Sequence, residues 1–140
     1  MFHGTLKTTL VLLFITLAAM APARPAHAAP ASAAASSPDF SLSVSPTTET
    51  RKRGTGAVYD LTIQSLNGFS GTIQITTSGA PPATTGDGTF PVSISAGQST
   101  TLGLIFQTHK VTTPIGTFTL TFSGTSGSLT HTVQAILQTR

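Results

Sequence analysis

The chain has 140 residues, 39% of them hydrophobic and only 8% charged, which leaves room for one domain and favours a β-rich fold coated with Ser and Thr over a helical one. Its formal charge of +3 falls to a net +1 once Lys7 and Arg24 are set aside with the leader, leaving five cations against four acids, so nucleic acid is not an expected partner. There is no cysteine, which excludes a disulfide framework, a thiolate metal site and a cysteine nucleophile, and leaves the domain to be held by its core.

Residues 1–28 read as a secretory signal peptide. Lys7 supplies a positive start, Leu10 to Ala21 an apolar stretch interrupted only by Thr16, and Ala26-His27-Ala28 a small-x-small cleavage site before Ala29. Ala21-Pro22-Ala23 is a competing site, weakened by its proline. A helix of about twelve apolar residues rises about 18 Å, short of the roughly 30 Å of a hydrocarbon core, so a cleaved leader fits better than an anchor. A secreted protein, extracellular or periplasmic, with no integral membrane segment after cleavage, is the expectation. Residues 29–38, rich in Ala, Ser and Pro, read as a flexible tether, and residues 39–140 as the folded domain.

From Asp39 onward apolar residues recur at every second position, the period of strands with one buried face. The pattern predicts seven strands. In chain order their inward residues are Phe40, Leu42 and Val44; Tyr59, Leu61 and Ile63; Ile73 and Ile75; Phe90, Val92 and Ile94; Leu102, Leu104 and Phe106; Phe118, Leu120 and Phe122; and Leu129, Val133 and Leu137. Between them lie turn-forming segments: Ser45-Pro46, Gly54-Thr55-Gly56, Asn67-Gly68, Gly79 to Pro82, Ala96-Gly97, Pro114-Ile115-Gly116 and Gly124 to Gly127. Strands at this spacing predict an all-β, two-sheet sandwich.

The segments PDFSLSVSP (38–46), NGFSGTI (67–73), TPIGTFTL (113–120) and GTSGSLTH (124–131) carry a more specific signal. Residues 38–137 resemble the bacterial immunoglobulin-like modules found, often in tandem, in large exported and cell-surface proteins. The resemblance implies a seven-stranded antiparallel immunoglobulin-like or fibronectin-like β-sandwich acting as a spacer, stalk or accessory binding domain, and it brings no catalytic residues. Three positions depart from the pattern. Arg51-Lys52-Arg53-Gly54 stands where such modules often have a plain turn, Ala80 to Thr89 lacks apolar residues and reads as a loose loop, and Phe118 replaces a common tyrosine.

Catalytic chemistry finds little support. Only His109 and His131 lie beyond the leader, the first in a loop and the second at the start of the last strand, and there is no Gly-x-Ser-x-Gly elbow. Asp39, Glu49, Asp60 and Asp87 are scattered, without a pair for glycoside hydrolysis or the oxygen set for calcium, and Gly86-Asp87-Gly88 reads as a turn. No enzyme activity, cofactor or metal is therefore expected.

The candidate interaction residues are Arg51, Lys52, Arg53 and Phe69. The basic triplet reads either as a contact for acidic polysaccharide, phospholipid or an acidic protein, or as a solvated turn whose charge guards a sheet edge. Phe69 reads either as an exposed anchor or as a lid folded onto the core. The leading expectation is a secreted, non-catalytic structural or protein-interaction module of immunoglobulin-like fold. The alternative is a small glycan-binding or envelope-associated accessory protein. The partner is then an unidentified protein or an envelope polysaccharide.

Overall fold

The computed structural model describes residues 36–140; the predicted signal peptide and residues 29–35 of the predicted tether lie outside the described residues. Residues 36–140 lie within one compact unit. Nine strands, two more than the alternation predicts, run through the described residues: β1 (Asp39–Ser45), β2 (Thr48–Arg51), β3 (Gly56–Leu66), β4 (Gly71–Ser78), β5 (Thr84–Thr85), β6 (Gly88–Ile94), β7 (Ser99–Thr108), β8 (Gly116–Ser126) and β9 (Leu129–Thr139). They form two sheets, ordered β1-β3-β7-β5 and β2-β9-β8-β4-β6. All pairings are antiparallel except β2 beside β9.

The two extra strands lack an apolar signature. Thr48–Arg51 is a strand because its backbone runs alongside Ile136 to Thr139 and because Glu49 reaches from it to the other sheet, where its carboxylate accepts from the Val58 N–H at 2.9 Å. The segment expected to be a loose loop, Ala80 to Thr89, instead holds β5 and the start of β6, with Pro81 buried. The expected turn at Gly124 begins three residues later. Gly124 is an inward position of β8, and a Cβ there would sit 3.1 Å from both Phe40 and Ile73, so the missing side chain makes room for the Phe40 ring.

The alternation places the core correctly. Phe40, Tyr59, Leu61, Ile63, Ile73, Ile75, Phe106, Leu120, Phe122 and Leu137 are all fully buried between the sheets, while Leu42, Phe90, Val92, Leu102, Leu129 and Val133 pack half-buried against them. Thr and Ser fill many of the alternate positions and face water, since β-branched or small polar side chains suit a half-exposed pleated surface; Val58 and Ile105 are exposed apolar exceptions. At the centre, Tyr59, Phe106 and Phe122 form a triangle of rings with centroids 5.9, 6.1 and 6.1 Å apart.

Tyr59 also joins the two sheets by a polar bond: its hydroxyl donates to the Ile136 carbonyl at 2.8 Å. Burial first, and the Glu49 carboxylate second, push the phenol up to about 12 from 10.0. The fold therefore favours the neutral phenol, and this contribution is fully present below pH 10 and lost as pH rises through about 12. Tyr59→Phe is expected to cost about 1 kcal/mol at neutral pH and to flatten the alkaline fall in stability. Unfolding free energies measured from neutrality to strongly alkaline pH check this; an unchanged alkaline fall in the variant would contradict it.

The strands run between two ends of the sandwich. The β2–β3, β4–β5–β6 and β7–β8 connections lie at one end, and the β3–β4, β6–β7 and β8–β9 connections at the other. The eleven residues of β3 set these ends about 30 Å apart.

Candidate functional site

Every Lys and Arg of the described residues lies at the first of these ends. Arg51 closes β2, Lys52 and Arg53 form the β2–β3 turn, Lys110 lies in the β7–β8 connection, and Arg140 follows β9. Backbone bonds bring them together. The Arg53 N–H donates to the Arg140 carbonyl at 2.9 Å, the Arg140 N–H donates to the Arg51 carbonyl at 3.0 Å, and a Cβ on Gly54 would sit 3.1 Å from that of Lys110. The near-neutral body thus hides a polarised charge distribution, with only Glu49 and Asp87 among the acids at this end.

The triplet does not act as three equivalent charges. Arg51 is committed to the fold, its guanidinium paired with the Glu49 carboxylate that also caps Val58. Arg53 donates from Nη1 to the Thr113 carbonyl at 3.3 Å, which points it across to the β7–β8 connection. Lys52 and Lys110 are exposed, and neither forms an ion pair among the described residues. These two lysines, with Arg53 and Arg140, are the charges this end can offer to a partner.

Buried threonine hydroxyls hold the surrounding loops. Thr113, fully buried, accepts from the His109 N–H at 2.7 Å and donates to the Ala83 carbonyl at 3.1 Å, joining the β7–β8 connection to the segment before β5. Thr108 accepts from the Gly54 N–H at 3.0 Å and donates to the Thr55 carbonyl at 2.8 Å, while Thr139 accepts from Gly116 at 3.0 Å and donates to Pro114 at 2.6 Å. Each hydroxyl uses its donor and an acceptor, so a chain without cysteine still fixes its loop end. Thr113→Val keeps the shape but removes both bonds of a fully buried hydroxyl, to the His109 N–H and to the Ala83 carbonyl. We expect a loss of about 2 kcal/mol and faster amide exchange across residues 109–115. Denaturant unfolding and hydrogen exchange measure both, and a change below about 0.5 kcal/mol would contradict the role assigned to this hydroxyl.

Phe69 is not part of this surface. Leu66 to Phe69 is a tight turn closed by a Phe69 N–H to Leu66 carbonyl bond of 3.0 Å, with positive φ at both Asn67 and Gly68, as a type I′ turn requires. The turn folds Phe69 onto the Phe40 ring at 5.4 Å between centroids, leaving it 7% exposed at the opposite end of the sandwich from the triplet. As a contact residue Phe69 is therefore corrected to a core lid. Ser65 fixes this end too, donating to the Phe69 carbonyl at 2.7 Å and accepting from the Gly97 N–H at 3.0 Å.

The two histidines are equally far apart. His109 is exposed at the basic end, and His131 stands at the Phe69 end, where Nε2 lies 2.7 Å from Asp39 Oδ1 and the ring meets Phe40 edge-on at 4.7 Å. The His131 bond, then the Phe40 N–H, hold the Asp39 carboxyl below its ordinary value. Asp60 is exposed on β3 and Asp87 in the β5–β6 turn, where burial raises the Asp87 carboxyl against the lowering effect of the Ala80 N–H. Among the described residues no three His, Asp or Glu side chains come together, and no helix is long and apolar enough to cross a membrane.

Open strand edges are the other surface a β-sandwich can offer. Among the described residues β7 is unpaired on its outer side from Ser99 to Phe106, since β5 covers only Gln107 and Thr108. The outer edge of β6 carries Pro91, which has no N–H to offer an added strand. The sequence names Arg51, Lys52 and Arg53 but misses Lys110 and Arg140, which join them only through the fold. It gives no signal for Thr113, which reads as an ordinary loop threonine.

No protein-family model matches the sequence, and no curated protein sequence matches it. Among solved structures the chain is similar to a beta-glucosidase from Listeria innocua in complex with glucose, at 14% identity over 72% of this chain and 16% of that one, with a TM-score of 0.49. It is also similar to a family 123 glycoside hydrolase from Clostridium perfringens, at 9% identity over 72% of this chain and 27% of that one, with a TM-score of 0.47. The chain thus spans 16% and 27% of the lengths of these two neighbours.

Proposed function

We propose that this is an exported, non-catalytic immunoglobulin-like module that recognises its partner through the basic end of the sandwich. The observation that carries the reading is the convergence of Lys52, Arg53, Lys110 and Arg140 from three separate parts of the chain onto one end whose loops are tied by buried threonines. A surface fixed before binding loses less entropy on association.

The strand order supports the immunoglobulin-like part of the proposal. β1-β3-β7 matches strands A-B-E of that fold and β9-β8-β4 matches G-F-C, with β2 as a continuation of the first strand on the second sheet and β6 retained beside β4. The leader-like residues 1–28 support export. The separation of His109 from His131, and the commitment of His131 to Asp39 and Phe40, support a task other than catalysis.

The test is retention. The compact unit Ala34–Arg140, immobilised, is exposed to envelope extract and extracellular polysaccharide of the producing cell, beside a Lys52→Glu/Lys110→Glu variant. Specific retention that salt and charge reversal both abolish is the expected result. Retention indifferent to both, or none from either fraction, would overturn the proposal.

A further inference from the structure

We infer that the basic end is a docking surface for an anionic lipid bilayer, an inference that rests on the recognition reading above and names its ligand class. The discriminating observation is apolar. Val111 is 83% exposed and Ile115 63%, the two most exposed large apolar side chains among the described residues, and both belong to the β7–β8 connection that carries Lys110.

The placement follows from the fold. Thr113, between them in sequence, is fully buried and bonded through Oγ1 to the neighbouring loop, so the connection is pinned at its middle while Val111 and Ile115 face water on either side. Arg53 reaches the same connection through the Thr113 carbonyl, Arg140 is bonded to the Arg53 backbone, and Lys52 precedes Arg53 in the β2–β3 turn. A soluble acidic polymer can neutralise these cations but gives two aliphatic side chains nothing to bury against. A bilayer with anionic headgroups does both: phosphates meet the cations, and the boundary of the acyl region takes the aliphatics. Neither signal alone gives firm attachment, and their combination on one fixed loop end is the arrangement that peripheral attachment to a charged bilayer calls for.

The experiment measures binding of Ala34–Arg140 to phosphatidylcholine vesicles with and without phosphatidylglycerol, and to soluble alginate as an acidic polymer. Binding is expected only to vesicles containing phosphatidylglycerol, and to fall with salt. Lys52→Ala/Lys110→Ala is expected to weaken it about 25-fold, at about fivefold for each charge, and Val111→Ser/Ile115→Ser about tenfold. All four side chains are exposed, so circular dichroism should find both variants folded.

Binding to alginate without binding to vesicles, unaffected by the serine variants, would overturn the lipid inference and leave the basic end as a recognition surface for a polymer. Equal binding to both vesicle types would overturn it as well, because the cations would then play no part. Binding to neither vesicles nor alginate would overturn it too, and if the envelope fractions also retained nothing, the recognition reading would fail with it.

Discussion

Phe106→Ala is expected to lower the unfolding free energy by about 3–5 kcal/mol and the midpoint of thermal unfolding by roughly 15–25 °C. Phe106 is fully buried on β7 and sits in the triangle it makes with Tyr59 of β3 and Phe122 of β8, so its ring touches its own sheet and the facing one. Removing it takes away the transfer free energy of a large side chain and leaves a cavity walled by two other rings, which β-sheet backbones on both sides cannot close. There is no disulfide to hold the sheets while they relax. Thermal and denaturant unfolding of the variant measure the loss, and a change below about 1 kcal/mol would mean that the two sheets do not share this core.

Gly79→Ala is the second large effect, expected at about 3 kcal/mol or more. Gly79 follows β4 with φ +89, and a Cβ there would come within 2.2 Å of the Thr119 carbonyl oxygen on β8. The clash is with backbone, which cannot swing aside as a flexible side chain would, so β4 and β8 must separate next to the Ser78 and Thr121 pairing. Gly127→Ala is the control. Its φ of +58 carries the left-handed strain, but nothing lies within 4 Å of the added Cβ, and a cost of only about 1 kcal/mol is expected. Equal costs for the two variants would assign the effect to backbone strain alone.

Much of this architecture is legible in the sequence because period-two alternation is a direct consequence of strand geometry. Phe40, Tyr59, Leu61, Ile63, Ile73, Ile75, Phe106, Leu120, Phe122 and Leu137 read as inward and are buried. The pattern fails where something other than burial makes the strand. β2 has no apolar residue, and its place is set by backbone pairing with β9 and by the reach of Glu49 to Val58. β5 is two threonines beside the end of β7. Phe118 alternates as an inward residue yet stays half-exposed, near the end of its sheet.

The candidate site is legible only in part, for a similar reason. Arg51, Lys52 and Arg53 stand out because they are contiguous, whereas Lys110 and Arg140 are far away in sequence and reach them through the β3–β7 and β2–β9 pairings. Contiguity also misleads, since Arg51 spends its charge on Glu49 and lies outside the set available to a partner. Phe69, readable from its loop position either as an exposed anchor or as a lid, is taken inward by the geometry of the Asn67-Gly68 turn.

Hydrogen exchange on Ala34–Arg140, free and bound to the envelope fraction that retains it, tests most directly the claim that the basic end is the recognition surface. New protection is expected only at residues 52–55 and 109–115. Protection gained instead along the open edge of β7, from Ser99 to Phe106, or at the opposite turn around Asn67 and Gly68, would contradict it.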